Sequence, residues 1–268
     1  MPQPLETKKI LIVVRTYPSP SLRGVEVSCT AGITEQQEWI RLFPVPYRFL
    51  DPDQKFAKYQ WISAVVSKGN DQRKESRKLR IDSVQVLSGP ISPANRWQAR
   101  KDLVFPMRSE SLCELTRKRD AARHPTLGFF KPAEIRRFVL EADNPSWTQA
   151  QLQSLGQGLL FGKKPPTELE KVPFKVKYEF VCDDASCRGH SLMCTDWEMG
   201  QAWRNWRDKY GDDGWEQMFR QKFETEMIQK KDTHFFVGTV AGHPHRWIIV
   251  GLFYPPYSVS LPLLDGLA

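Results

Sequence analysis

The sequence predicts an α+β protein. A small β-barrel-like lobe comes first, helices follow, and a C-terminal lobe of order β-β-α-α-β-β ends the chain. Three observations carry this expectation. Short β-branched runs, each closed by Gly or Pro, recur through the first 90 residues. Helical spacing dominates the middle of the chain. Two hairpin-like pairs then flank two helical runs after Phe174.

Five runs make the first lobe. Lys9–Arg15 is β-branched and stops at Tyr17-Pro18-Ser19-Pro20. Val25–Ala31 alternates and stops at Gly32. Glu38–Phe43 ends at Pro44 and Pro46. Tyr59–Ser67 carries Trp61, Ile62, Val65 and Val66. Leu79–Leu87 alternates and ends at Gly89-Pro90. Alternation turns one face of each strand inward. Five such strands suit a closed barrel of OB, SH3-like or PUA-like type, and the pattern does not choose among them.

In the middle segment, Arg96–Leu103 and Glu110–Arg123 read as helices and Ala133–Leu140 as a strand or short helix. Leu155–Pro166 (LGQGLLFGKKPP) has the Gly/Pro composition of a linker. The expected divisions are therefore residues 1–90, 91–165 and 166–268. In the last division, Phe174–Cys182 and His190–Cys194 form a hairpin around a cysteine loop. Trp197–Tyr210 and Trp215–Gln229 are helices split by Gly211-Asp212-Asp213-Gly214. Thr233–Val240 and Arg246–Tyr254 form a second hairpin.

Composition narrows the class. The chain has 268 residues, 40% hydrophobic and 26% charged, enough for a substantial core. Its longest apolar runs, Ile10–Val14 and Trp247–Phe253, fall far short of the ~20 residues of a membrane span. Met1–Lys9 lacks the apolar stretch of a signal peptide. The expected location is the cytoplasm, with no membrane partner. Five cysteines argue against a disulfide framework. Cys29 and Cys113 stand alone and read as core or near-core thiols. No G-x-x-x-x-G-K-[ST], G-x-G-x-x-G after a strand, or G-x-S-x-G is present, so P-loop, dinucleotide and serine-hydrolase chemistries lack support.

The net charge of +8 is uneven. Residues 1–105 carry 17 Lys and Arg against 10 Asp and Glu, residues 106–175 carry 12 against 8, and residues 176–268 carry 10 against 13. A basic front attracts polyanions, so nucleic acid, DNA favoured, is the expected partner. An acidic back repels them unless a metal ion intervenes. Gly69–Arg80 holds five basic residues, Arg73, Lys74, Arg77, Lys78 and Arg80, between two expected strands. That makes it a charged hairpin loop suited to phosphates. Tyr59 and Trp61 are the nearby stacking candidates, and Arg100 and Lys101 extend the same basic lobe.

The densest chemical cluster lies between residues 182 and 198. Cys182, Cys187, His190 and Cys194 have the residue types of a Cys₃His zinc site, in an unusual C-x4-C-x2-H-x3-C spacing. An extended His190–Cys194 would separate its ends by about 13 Å, too far for one tetrahedral ion. Either that stretch is not extended or Cys194 is not a ligand. Asp183, Asp184, Asp196 and Glu198 are the candidate catalytic acids. They could hold Mg²⁺ and activate water as a nuclease does. With no metal, Asp196 or Glu198 could instead serve a base-excising glycosylase. Thr195-x-x-Glu198 also fits a helix capping box, a purely structural reading.

The runs RTYPSPS, VEVSCTAGI, EWIRLFPVPYRFL, CDDASCRGH, DWEMGQ and FFVGT…WIIVGLFYPP resemble, as a set, an uncharacterised family of bacterial proteins, over most of the chain. The resemblance transfers no catalytic residue. It is consistent with a role in defence against phage. The functional expectation is a DNA-binding protein that processes DNA as a glycosylase or metal-dependent nuclease. The alternatives are a non-catalytic reader of modified or structured nucleic acid, or a protein-interaction module. Zn²⁺, Mg²⁺ or no cofactor all remain open, as does the oligomeric state.

Overall fold

The computed structural model describes residues 4–21, 26–158 and 168–257. The first lobe contains β1 (Leu5–Arg15), β2 (Ser19–Pro20), β3 (Glu26–Thr34), β4 (Trp39–Val45), β5 (Gln60–Lys68), β6 (Ser76–Leu79) and β7 (Gln85–Val86). Strands β1, β3, β4, β6 and β5 are neighbours in that order, and β5 pairs back onto β1, closing a five-stranded barrel. The β4–β6 pair is parallel and the other pairs of the ring are antiparallel. A meander makes only antiparallel neighbours. The parallel pair demands a Greek-key return, which is the OB-type solution among the three expected.

The strand that closes the barrel is not where alternation placed it. Ser76–Leu79 forms it, inside the stretch expected to be loop, and Leu79 pairs with Val66 while Lys78 pairs with Ser67. Its two middle residues, Arg77 and Lys78, are charged, which hid a short strand behind a basic composition. Of the expected Leu79–Leu87 run, Leu79 ends β6 and Gln85–Val86 forms a short added edge on β5.

β1 explains its own unbroken apolar run. Ile10 and Ile12 fill the barrel with Ile40, Leu42, Ile62 and Val66. Leu11, Val13 and Val14 face outward onto Phe129, Phe236, Val250 and Phe253 of the second lobe. A strand buried on both faces has no polar alternate positions.

α1 (Ala94–Val104) and α2 (Leu112–Ala122) connect the lobes. The second sheet contains β8 (Leu127–Phe130), β9 (Glu134–Ala142), β10 (Phe174–Val181), β11 (His190–Cys194), β12 (His234–Val240) and β13 (His243–Phe253), in the order β8-β12-β13-β11-β10-β9. β8 and β9 come from the segment expected to be a connector. The linker expected at Leu155–Pro166 lies largely outside the described residues; its start ends α3 (Gln149–Gly158). Period-two alternation gives this sheet two buried faces. Phe129 and Phe236 point to the barrel, while Phe130 and Phe235 point to the helices.

The helical layer is α4 (Trp197–Arg220) followed by α5 (Gln221–Lys230), the latter wound as a π-helix. The first expected helix is the first arm of α4, and the second, Trp215–Gln229, spans the end of α4 and most of α5; α4 bends at Gly211, whose φ of 76° is a left-handed value that glycine tolerates. Trp203, Phe219, Phe223 and Met227 seal this layer against Tyr178, Phe180 and Ile249. Trp203 is thus a core residue and Trp206 packs beside Phe219 and Phe223. No helix of the described residues is long and apolar enough to cross a membrane.

Candidate functional site

The acids Asp196 and Glu198 begin α4. Asp196 is the N-cap: its Oδ1 accepts from Glu198 N at 2.9 Å. The cap therefore sits one residue later than the Thr195 capping box, and Thr195 Oγ1 instead donates to Ile249 O at 3.2 Å. Asp196 is buried, and its Oδ2 accepts from Leu252 N at 2.7 Å and from Lys58 Nζ at 3.2 Å. Lys58 also reaches Glu198 Oε1 at 3.4 Å and Leu252 O at 3.0 Å. Tyr254 donates to Glu198 Oε2 at 3.0 Å.

This clasp joins the barrel to the second lobe, with Asp196 buried, Lys58 nearly so and Glu198 partly exposed. Burial alone would lower the Lys58 pKa, but Asp196 and Glu198 outweigh it and hold the ammonium well above its ordinary value. Burial pushes Glu198 up, and the stronger pull of Lys58 and Tyr254 leaves it below the usual range. Next to the clasp, a Cβ on Gly200 would stand 2.2 Å from the Tyr17 ring. The close approach that this glycine permits is made by Tyr17, whose backbone N–H donates to Thr195 O at 2.9 Å.

Asp183 and Asp184 lie apart from this pair, in the β10–β11 loop. Asp184 accepts from Ser186 and pairs with Arg117 at 2.9 Å, which together hold its carboxyl at about 2. Among the described residues, the four candidate acids do not converge as a metal-holding group. The one such group is Cys113, Cys182, Cys187 and His190, whose ligand atoms all lie within 4.8 Å of one another. That cluster could hold a metal ion. Three of its members match the sequence expectation, but Cys113, from α2, takes the place of Cys194. His190–Cys194 is the extended strand β11, so Cys194 ends up in the core, where burial pushes its thiol well up and keeps it a neutral packing group.

The basic loop frames a cleft of about 660 Å³. One wall is Gly69–Arg73 with Arg77 and Lys78. Ser21, from the stretch between β1 and β3, Phe43 of β4, Gly242 of the β12–β13 turn and Pro244 at the start of β13 line the rest. Arg73 anchors the loop: it grips Asp71 at 2.5–3.0 Å and donates to Thr239 O of β12 at 2.8 Å. Those bonds hold the Asp71 carboxyl at about 2 against the opposing effect of burial. Arg77 is half-buried, while Lys74 and Lys78 are exposed.

The other expected contacts are placed elsewhere. Arg80 pairs with Asp82 at 3.1 Å. Tyr59 is buried, and the Arg100 guanidinium stacks between it and Trp97, 4.3 and 4.7 Å from the ring centroids. Lys101 is buried. Trp61 is half-buried under Lys9. The sequence reading omitted Lys58 and Tyr254 and took Cys113 for an isolated core or near-core thiol, whereas it joins the cluster. Each acts on partners far away in the chain, and no local spacing marks them.

Comparison with known families follows the two lobes. The barrel and α1 match a family described as Domain of unknown function (DUF8758) over residues 6–106. A search of curated proteins finds no match. Residues 108–265, more than half of the chain, match the description Domain of unknown function (DUF8757), and the protein belongs to that uncharacterised family.

Proposed function

We propose that this protein binds nucleic acid at the basic cleft and does so without cutting it. The observation that carries this reading is the place of the cleft on the barrel. In OB-type barrels, the loops after the first and the fourth barrel strands in chain order bind oligonucleotides. Here the corresponding segments supply Ser21 and Gly69–Arg73 to one cleft, and the second leads into Arg73–Arg80, whose five basic residues are the densest run in the lobe. Lys74, Arg77 and Lys78 supply charge for phosphates. The cleft has the size of a small-ligand pocket, which suits a short stretch of single strand better than a duplex.

The reading without chemistry rests on Asp196. Three fold-forming donors already take its lone pairs and its side chain lies beneath the surface, whereas a general base must come within hydrogen-bond reach of substrate. The test is fluorescence anisotropy with labelled single- and double-stranded DNA and RNA of several sequences, for wild type and for Lys74→Ala/Arg77→Ala/Lys78→Ala. The triple variant is expected to bind every sequence more weakly. Its log K against log salt slope should flatten by about 2, since each lost phosphate contact removes about 0.7 on a single strand. Equal affinity and slope in the two proteins would refute the cleft. Strand breaks or alkali-labile sites that vanish in Asp196→Asn would refute the reading without catalysis.

A further inference from the structure

We infer that Cys113, Cys182, Cys187 and His190 are the four ligands of one structural zinc ion, which ties helix α2 to the β10–β11 hairpin. The first support is distance. A tetrahedral ion with zinc–sulfur bonds of about 2.3 Å and a zinc–nitrogen bond of about 2.0 Å sets sulfur and nitrogen about 3.5 Å apart. His190 Nε2 lies 3.3 Å from Cys113 Sγ and 3.4 Å from Cys187 Sγ. All four ligand atoms fit within 4.8 Å, close to the edges of one coordination tetrahedron.

The second support is hydrogen-bond capacity. One imidazole nitrogen faces two sulfurs. As a hydrogen-bonding group it has a single lone pair or a single N–H, and so serves only one of them well. As ligands, nitrogen and sulfurs all direct lone pairs at one point between them, and the crowding is resolved. The third support is the scaffold. Cys182 N donates to Cys187 Sγ at 3.2 Å and Cys187 N donates to Asp184 O at 2.9 Å, so the loop is already turned with its sulfurs inward. Ser111 caps α2 by accepting from Glu114 N at 3.0 Å and fixes where Cys113 stands. One turn further along, Arg117 pairs with Asp184, so helix and loop are held together on both sides of the cluster.

Three thiolates and an imidazole close the coordination sphere. A closed set is the mark of a structural rather than a catalytic zinc, which keeps a position for water. The ion would cross-link residues 69 positions apart, between Cys113 and Cys182, in a lobe that has no disulfide among the described cysteines.

The test is the zinc content of untagged protein purified with zinc in the medium and dialysed against a weak chelator. The wild type and Cys194→Ser should each carry about one zinc per chain, whereas Cys113→Ser and Cys187→Ser lose it. Cys113→His, which restores four ligands, should regain it. Should Cys113→Ser fail to fold, wild type loaded with cobalt(II) decides by its sulfur-to-metal charge-transfer band, with the intensity of three thiolates expected. A folded, zinc-free wild type, loss of zinc in Cys194→Ser with retention in Cys113→Ser, or a two-thiolate cobalt band would each overturn the proposal.

Discussion

The clasp and the cleft use the same residue types in opposite ways. At the clasp, Asp196 is buried and Lys58 nearly so, each has fixed partners, and Lys58 makes the link between the two lobes. At the cleft, Lys74 and Lys78 stand in solvent, on a loop that Arg73 and Asp71 hold in shape. In the first region the charges have been spent on the fold. In the second the fold presents them outward. Acids at a helix start and bases in a loop look equally functional in sequence, and burial and partner count separate them.

This contrast can be broken most sharply at Lys58. Lys58→Met should destabilise the protein by about 3–5 kcal/mol, because Asp196 is left as an unpaired buried charge. Urea unfolding measures it. A loss under 1 kcal/mol would mean that the clasp is solvated and its acids are available for chemistry.

The next effect tests interior polarity by pH. His234 is fully buried, its Nδ1 is 2.9 Å from Asp232 O, and burial lowers its pKa to about 4, opposed by Asp232. The unfolded chain binds this proton near 6.5, so between those values the unfolded state holds more protons and acid weakens the fold. Wild type should lose about 2 kcal/mol more than His234→Phe between pH 7 and pH 5, at 1.36 kcal/mol per unit. Equal losses would show that the imidazole titrates freely.

Smaller still is Tyr254→Phe, which removes one hydrogen bond to a carboxylate that is 40% exposed on its side chain and should cost about 1.5 kcal/mol in urea unfolding, the lower end for a charged partner. The smallest stability change belongs to the cleft. The Lys74, Arg77 and Lys78 triple alanine variant should unfold within about 0.5 kcal/mol of wild type per site, although its binding falls. A large loss of stability there would erase the contrast.

Much of the fold was legible. Alternation located β3, β4 and β5 to within a few residues, and two-sided burial accounts for the apolar run of β1. β6 was hidden because two of its four residues are Arg and Lys, inside a basic run. β8 was missed because Leu127–Phe130 is only four residues long and buried throughout, with no period to read. The cluster was legible in part for the same reason. Cys182, Cys187 and His190 are local to one turn, so their spacing speaks. Cys113 arrives from another element, and only the packing of α2 on the hairpin reveals it. The 13 Å limit did reveal that an extended β11 excludes Cys194.

The cleft assignment is tested most directly by photo-crosslinking a bound oligonucleotide and sequencing the attached peptides. The account predicts adducts in Gly69–Lys78 and in the β12–β13 turn around Gly242 and Pro244. Adducts confined to the Asp196–Glu198 region, or none in either arm of the cleft, would contradict it.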